Sequence, residues 1–125
     1  MTARMSRLII YVRDVALLKA FYQQHFGLSI ITEEVENEWV VFDAGGVELA
    51  LHLVGPAFRT PPSQDHCGPN TKIVFTVPAN LEKHRETLAA AGVAVQALKR
   101  YDGFAYSMYD GADPEGNIFQ VMQLD

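Results

Sequence analysis

A chain of 125 residues, 49% hydrophobic and 20% charged, has the size and composition of one soluble globular domain. Its net charge of −5 excludes the basic face that nucleic acid requires, and no apolar run is long enough to span a membrane. The start, Met1-Thr2-Ala3-Arg4-Met5, lacks the apolar core of a signal peptide, and the lone Cys67 excludes an internal disulfide framework, so the expected compartment is the cytoplasm.

Residues 6–12 are β-branched and aromatic and read as a strand. Asp14 is placed to cap a helix, Leu17, Leu18, Phe21, Tyr22 and Phe26 recur at helical spacing, and Gly27 is placed to stop it. Strands follow at 28–34, 39–42 and 47–53, the last two joined through Ala44-Gly45-Gly46. Residues 55–70 hold four of the six prolines and form a linker. A strand at 72–77 then leads to a helix capped near Asn80 and stopped by Gly92. Strands at 94–101 and 104–109, the turn Asp113-Pro114-Glu115-Gly116-Asn117 and a last strand from Ile118 complete the chain. In that last strand Ile118, Gln120 and Met122 share one face, while Phe119, Val121 and Leu124 lie nearer the other.

The order β-α-β-β-β occurs twice. A shift of 65 residues carries Gly27 onto Gly92 and Arg7 onto Lys72, and a shift of 70 carries Leu49, Ala50 and Leu51 onto Phe119, Gln120 and Val121. A repeated supersecondary unit predicts an α+β domain of two tandem modules, 5–54 and 71–125, each a four-stranded mixed sheet with one helix. The curved sheets are expected to enclose a cleft between them.

Several segments carry a resemblance. They are Tyr11-Val12-Arg13-Asp14, Phe21-Tyr22, Phe26-Gly27-Leu28, Gly45-Gly46-Val47-Glu48-Leu49 and the turn at 113–117. As a set they resemble the vicinal oxygen chelate superfamily, which includes glyoxalase I, extradiol dioxygenases, fosfomycin-resistance proteins and bleomycin-resistance-type binding proteins. The resemblance implies four metal-ligand points, near the starts of strands one and five and in the middle of strands four and eight. In this chain they fall on Arg7, Lys72, Ala50 and Gln120. A divalent metal needs lone pairs from imidazole or carboxylate. Arginine has none, lysine must first lose its proton, and alanine has no donor. One amide oxygen does not hold a metal, so no metal site and no cofactor are expected, nor is ordinary glyoxalase I activity. A one-residue slip in strand four would bring Glu48 nearer the ligand point.

The same residues suggest another use. Two cations and an amide, Arg7, Lys72 and Gln120, suit a polar or anionic group on a small molecule, and Trp39, Tyr101 and Tyr106 offer flat stacking surfaces. Glu48 and His52 share a strand face, where either is a candidate base for a lyase or isomerase reaction. They are about 13 Å apart along the strand, too far to share one metal with His66. His66-Cys67 reads as a plain loop segment. The leading expectation is a metal-free small-molecule-binding protein, associating as a homodimer, with no nucleic-acid or membrane partner. An enzyme using His52 or Glu48 is the alternative.

Overall fold

The computed structural model describes residues 1–33, 35–59 and 71–125, so most of the proline-rich linker, with His66 and Cys67, lies outside the described residues. The chain divides into two compact units, Met1–His66 and Cys67–Asp125.

Unit one runs β1 (Arg7–Val12), α1 (Val15–Phe26), β2 (Ser29–Thr32), β3 (Trp39–Asp43) and β4 (Glu48–Leu53), with a short 3-10 turn at Pro56–Phe58. Unit two runs β5 (Lys72–Thr76), α2 (Leu81–Ala90), β6 (Ala94–Val95), β7 (Tyr106–Ala112) and β8 (Ile118–Leu124). The strand orders correspond, β1-β4-β3-β2 and β5-β8-β7-β6. The first strand of each unit lies parallel to its last, and the remaining pairs are antiparallel. The register obeys the two sequence shifts: Ile9 and Val41 flank Ala50 as Val74 and Asp110 flank Gln120.

Local chemistry explains the punctuation of α1. The Asp14 carboxylate accepts from the Leu17 amide at 3.0 Å, and Gly27 at φ +64° donates its N–H to the carbonyls of the last turn. At the other helix the expected cap fails. Asn80 sits at φ +60° and makes no side-chain cap bond; instead Gln123 Oε1, from β8, accepts from the Leu81 amide at 3.0 Å. Before β8, the buried Asp113 carboxylate accepts from the Glu115 and Asn117 amides at 2.9 Å and from Asn117 Nδ2 at 2.8 Å. This side chain thereby sets the direction from which the last strand departs.

The helices cover one face of each sheet. Val15, Leu18, Phe21 and Tyr22 of α1 are buried, as are Ile10, Val12, Val40, Phe42, Leu49 and Leu51 on the strands beneath. In unit two Leu81 and Leu88 are buried with Tyr109, Phe119 and Val121. Tyr109 reaches α2 through a 2.6 Å bond between its hydroxyl and His84 Nδ1. Gly111 lies opposite Phe119, and the absence of a side chain there lets the Phe119 ring lie across the strand.

Two strand expectations change. The segment expected at 94–101 is regular only at Ala94–Val95 and rejoins β7 at the bridge between Lys99 and Met108. Between the pairs Val95–Gly111 and Lys99–Met108, three residues face two on β7, so one residue is extra, and such bulges relieve an edge strand. Strand β7 correspondingly starts at Tyr106, leaving Tyr101 and Phe104 off the sheet. Leu124 pairs with Tyr106 and alternates with Gln120 and Met122, so it shares their face.

Candidate functional site

Alternation leaves each sheet a face without a helix. In unit one, cross-strand register arranges that face in three rows over β1, β4 and β3. Arg7, Glu48 and Asp43 make a charged row, Ile9, Ala50 and Val41 an apolar row, and Tyr11, His52 and Trp39 an aromatic row. The His52 ring lies 5.2 Å from Tyr11 and 5.5 Å from Trp39, centroid to centroid. Arg7 donates Nε to Glu48 Oε1 at 2.8 Å, with Nη2 at 2.7 Å from the same oxygen, and its Cζ lies 5.5 Å from the Trp39 ring centroid. A cavity of about 320 Å³ opens at the charged end, beside Glu48, Asp43, Arg4 and Ile31.

Unit two builds its helix-free face differently. Lys72 Nζ lies 2.8 Å from Asp110 Oδ2, and Gln120 Nε2 donates to Asp110 Oδ1 at 3.0 Å. Burial alone would raise the Asp110 pKa, but the hydrogen bonds from Lys72 and Gln120 and the charges of Lys72 and Lys99 outweigh it and hold the carboxyl below its usual range. A second cavity of about 320 Å³ lies beside Lys72 and Asp110, against Gln96, Gly111 and Ile118. Tyr106 sits at the far end of this face. Tyr101, off the sheet, packs on Phe104 at 6.4 Å, which packs on Tyr106 at 5.6 Å.

The structure thus gathers Arg7, Glu48, His52 and Trp39 on one face of unit one, and Lys72, Gln120 and Tyr106 on one face of unit two. The register of β4 shows no slip: Ala50 occupies the position equivalent to Gln120, and Glu48 lies beside Arg7. Asp110 escaped the sequence reading, although counting back through the hairpin from Asp113 places it opposite Gln120. Tyr11 was not among the expected site residues either, and it stands 65% exposed beside His52 on this face.

A divalent metal does not fit the four positions. Both cations are committed to carboxylates, Ala50 is buried and without a donor, and Gln120 turns its NH₂ toward Asp110. Among the described residues no three His, Cys, Asp or Glu side chains are grouped to hold a metal ion. Among the described residues no helix is long and apolar enough to cross a membrane.

Residues 4–121 match the sequence profile of the Glyoxalase/Bleomycin resistance protein/Dioxygenase superfamily. Solved structures agree on the fold. A glyoxalase/bleomycin resistance protein/dioxygenase family enzyme from Burkholderia phytofirmans PsJN is 22% identical, with a TM-score of 0.78 over 98% of this chain and 100% of that one. The fosfomycin resistance protein FosX from Listeria monocytogenes is 15% identical, with a TM-score of 0.78 over 100% and 96%. Lactoylglutathione lyase from Agrobacterium tumefaciens is 19% identical, with a TM-score of 0.73 over 98% and 94%. No curated protein matches the sequence. With the repeated βαβββ unit, its register and a profile match spanning nearly its full length, the chain belongs to the Glyoxalase/Bleomycin resistance protein/Dioxygenase superfamily.

Proposed function

We propose that this chain is a small-molecule-binding member of its superfamily that works without a metal at the four ligand points and without another cofactor. Its ligand is a planar, apolar or anionic molecule taken up on the helix-free sheet faces, with Arg7, Glu48, Trp39, Lys72, Gln120, Tyr101 and Tyr106 as contacts. The protein acts as a cytoplasmic homodimer. The observation that carries this reading is the replacement of a donor set by two internal ion pairs, Arg7 with Glu48 in unit one and Lys72 with Asp110 in unit two, together with a row of aromatic rings on the same face of unit one as Arg7. Such a surface offers stacking and hydrogen bonds.

The geometry supports binding over catalysis. Glu48, one candidate base, already accepts from Arg7, and among the described residues no carboxylate is hydrogen-bonded to His52 to orient it. The test is metal analysis of protein purified without chelator, followed by a thermal-shift screen over planar aromatics and small carboxylates. A ligand recovered unchanged that raises Tm supports the reading. Stoichiometric metal held by Gln120, or turnover lost in His52→Ala, would replace it with the enzymatic one.

A further inference from the structure

We infer that the recess beside Lys72 and Asp110 on unit two takes a flat, uncharged ring carrying a cyclic amide, whose N–H is donated to Asp110 and whose C=O accepts from Lys72. The inference rests on the binding reading above and narrows its ligand class. The recess is the cavity of about 320 Å³ on the helix-free face. Its floor is one cross-strand row: Ala94, Ala112 and Ile118 lie side by side on β6, β7 and β8, and Lys72 ends the row on β5. Two alanines leave the sheet surface low there, and a larger side chain at either would fill the hollow. Gln96 and Asp110 form the wall one row on, joined by the Gln96 amide donating to the Asp110 carbonyl at 2.7 Å. The lining is mostly apolar, which suits a ring laid flat on the alanines. Ala94 and Gln96 are exposed, so the recess is open to solvent along the β6 edge.

Charge alone does not choose the ligand. The cations acting on Asp110 are Lys72 and Lys99, and Lys99 shares the face because it bridges Met108, two residues from Asp110 on β7. Two lysines against one carboxylate leave a surplus of one positive charge, which an anion could use. The hydrogen-bonding pattern is more selective. Lys72 Nζ and Asp110 Oδ2 stand 2.8 Å apart, a donor beside an acceptor. The ammonium has further N–H groups to give. Asp110 is ionised at neutral pH and accepts one bond on each oxygen, from Lys72 and Gln120, which leaves lone pairs on both. A ligand carboxylate would accept from Lys72 with its charge against Asp110. A ligand ammonium would donate to Asp110 with its charge against Lys72. A cyclic amide holds its N–H and C=O on one edge, as Asp110 and Lys72 require, and leaves neither unpaired.

The test follows backbone amide NMR shifts of the full chain during titration with three probes of similar shape. They are 2-quinolone, uncharged at neutral pH, its N-methyl derivative, which has no N–H, and 2-naphthoate. The quinolone is expected to move the Ala94, Ala112 and Ile118 amides. It is expected to bind at least about tenfold more tightly than either other probe, the worth of one hydrogen bond to a charged group. In Asp110→Ala the quinolone and its N-methyl derivative are expected to bind within about threefold of each other. Ala94→Leu, at an exposed position, is expected to weaken the quinolone at least about tenfold by filling the recess. Tighter binding of the naphthoate, equal binding of the N-methyl derivative to the unmodified protein, or shifts confined to the helix-free face of unit one overturn the cyclic-amide site and leave the binding reading standing. If no probe moves a residue of either helix-free face, both fall together.

Discussion

Arg7 and Trp39 start two strands apart, with β4 between them, and meet over Ala50 with the guanidinium 5.5 Å from the indole centroid. Trp39 is the single tryptophan of the chain, so tryptophan fluorescence reports this one site, where the indole meets Arg7 and His52. In Arg7→Ala, acrylamide quenching of Trp39 is expected to rise. The loss of stability in urea is expected to stay within about 1–2 kcal/mol, the sum of one exposed ion pair and one exposed cation–π contact.

Asp110 ties Lys72 and Gln120 together, and its folded pKa lies below the usual value near 3.8. A depressed carboxyl stabilises the fold above its unfolded pKa, and the gain is lost as pH falls through the folded one. Unfolding free energies from urea titration of the unmodified protein and Asp110→Asn should therefore differ at neutral pH, by about 1 kcal/mol or less for so exposed a pair. The difference should vanish at strongly acid pH.

Tyr109 carries the opposite sign. Burial pushes its pKa up to about 12 from 10.0, against a small opposing effect of Arg85. The unfolded chain gives up this proton first, so stability should fall as pH rises from about 10 to about 12 and level off above. Absorbance of the phenolate should show a step at about pH 12 that is missing in Tyr109→Phe. That variant should also lose about 1 kcal/mol at neutral pH with its bond to His84.

A Cβ at Gly111 would lie 2.4 Å from Phe119 Cζ and 3.0 Å from the Ala94 carbonyl oxygen. Phe119 is fully buried and has little room to swing away. Gly111→Ala should cost about 1–3 kcal/mol in denaturant unfolding. Adding Phe119→Leu should recover part of that cost, a coupling expected only of residues in contact.

Gln123, not Asn80, satisfies the first amide of α2. Gln123→Ala should destabilise by about 1 kcal/mol, the usual worth of a helix cap, with the loss concentrated in hydrogen exchange of the first α2 turn. Asn80→Gly should cost little, because its left-handed φ suits glycine and its side chain caps nothing.

Much of the fold is legible in the sequence because its signals are local. Period-two runs, the Asp14 cap, Gly27 and the Asp113 turn act over a few residues, and their repetition in two halves announces two modules. The break in β6 was not legible, since the run from Ala94 to Tyr101 contains no residue that marks a bulge.

By itself the sequence determined the βαβββ repeat, and the resemblance it carries implies ligand points at Arg7, Lys72, Ala50 and Gln120, where residue type alone decides whether a side chain has a lone pair for a metal. Only the tertiary structure decided how those residues are spent. Arg7 with Glu48 and Trp39, Lys72 with Asp110, and Leu81 with Gln123 are pairs set by strand register and side-chain reach. They join residues 32 to 42 positions apart, a distance over which no local pattern carries information.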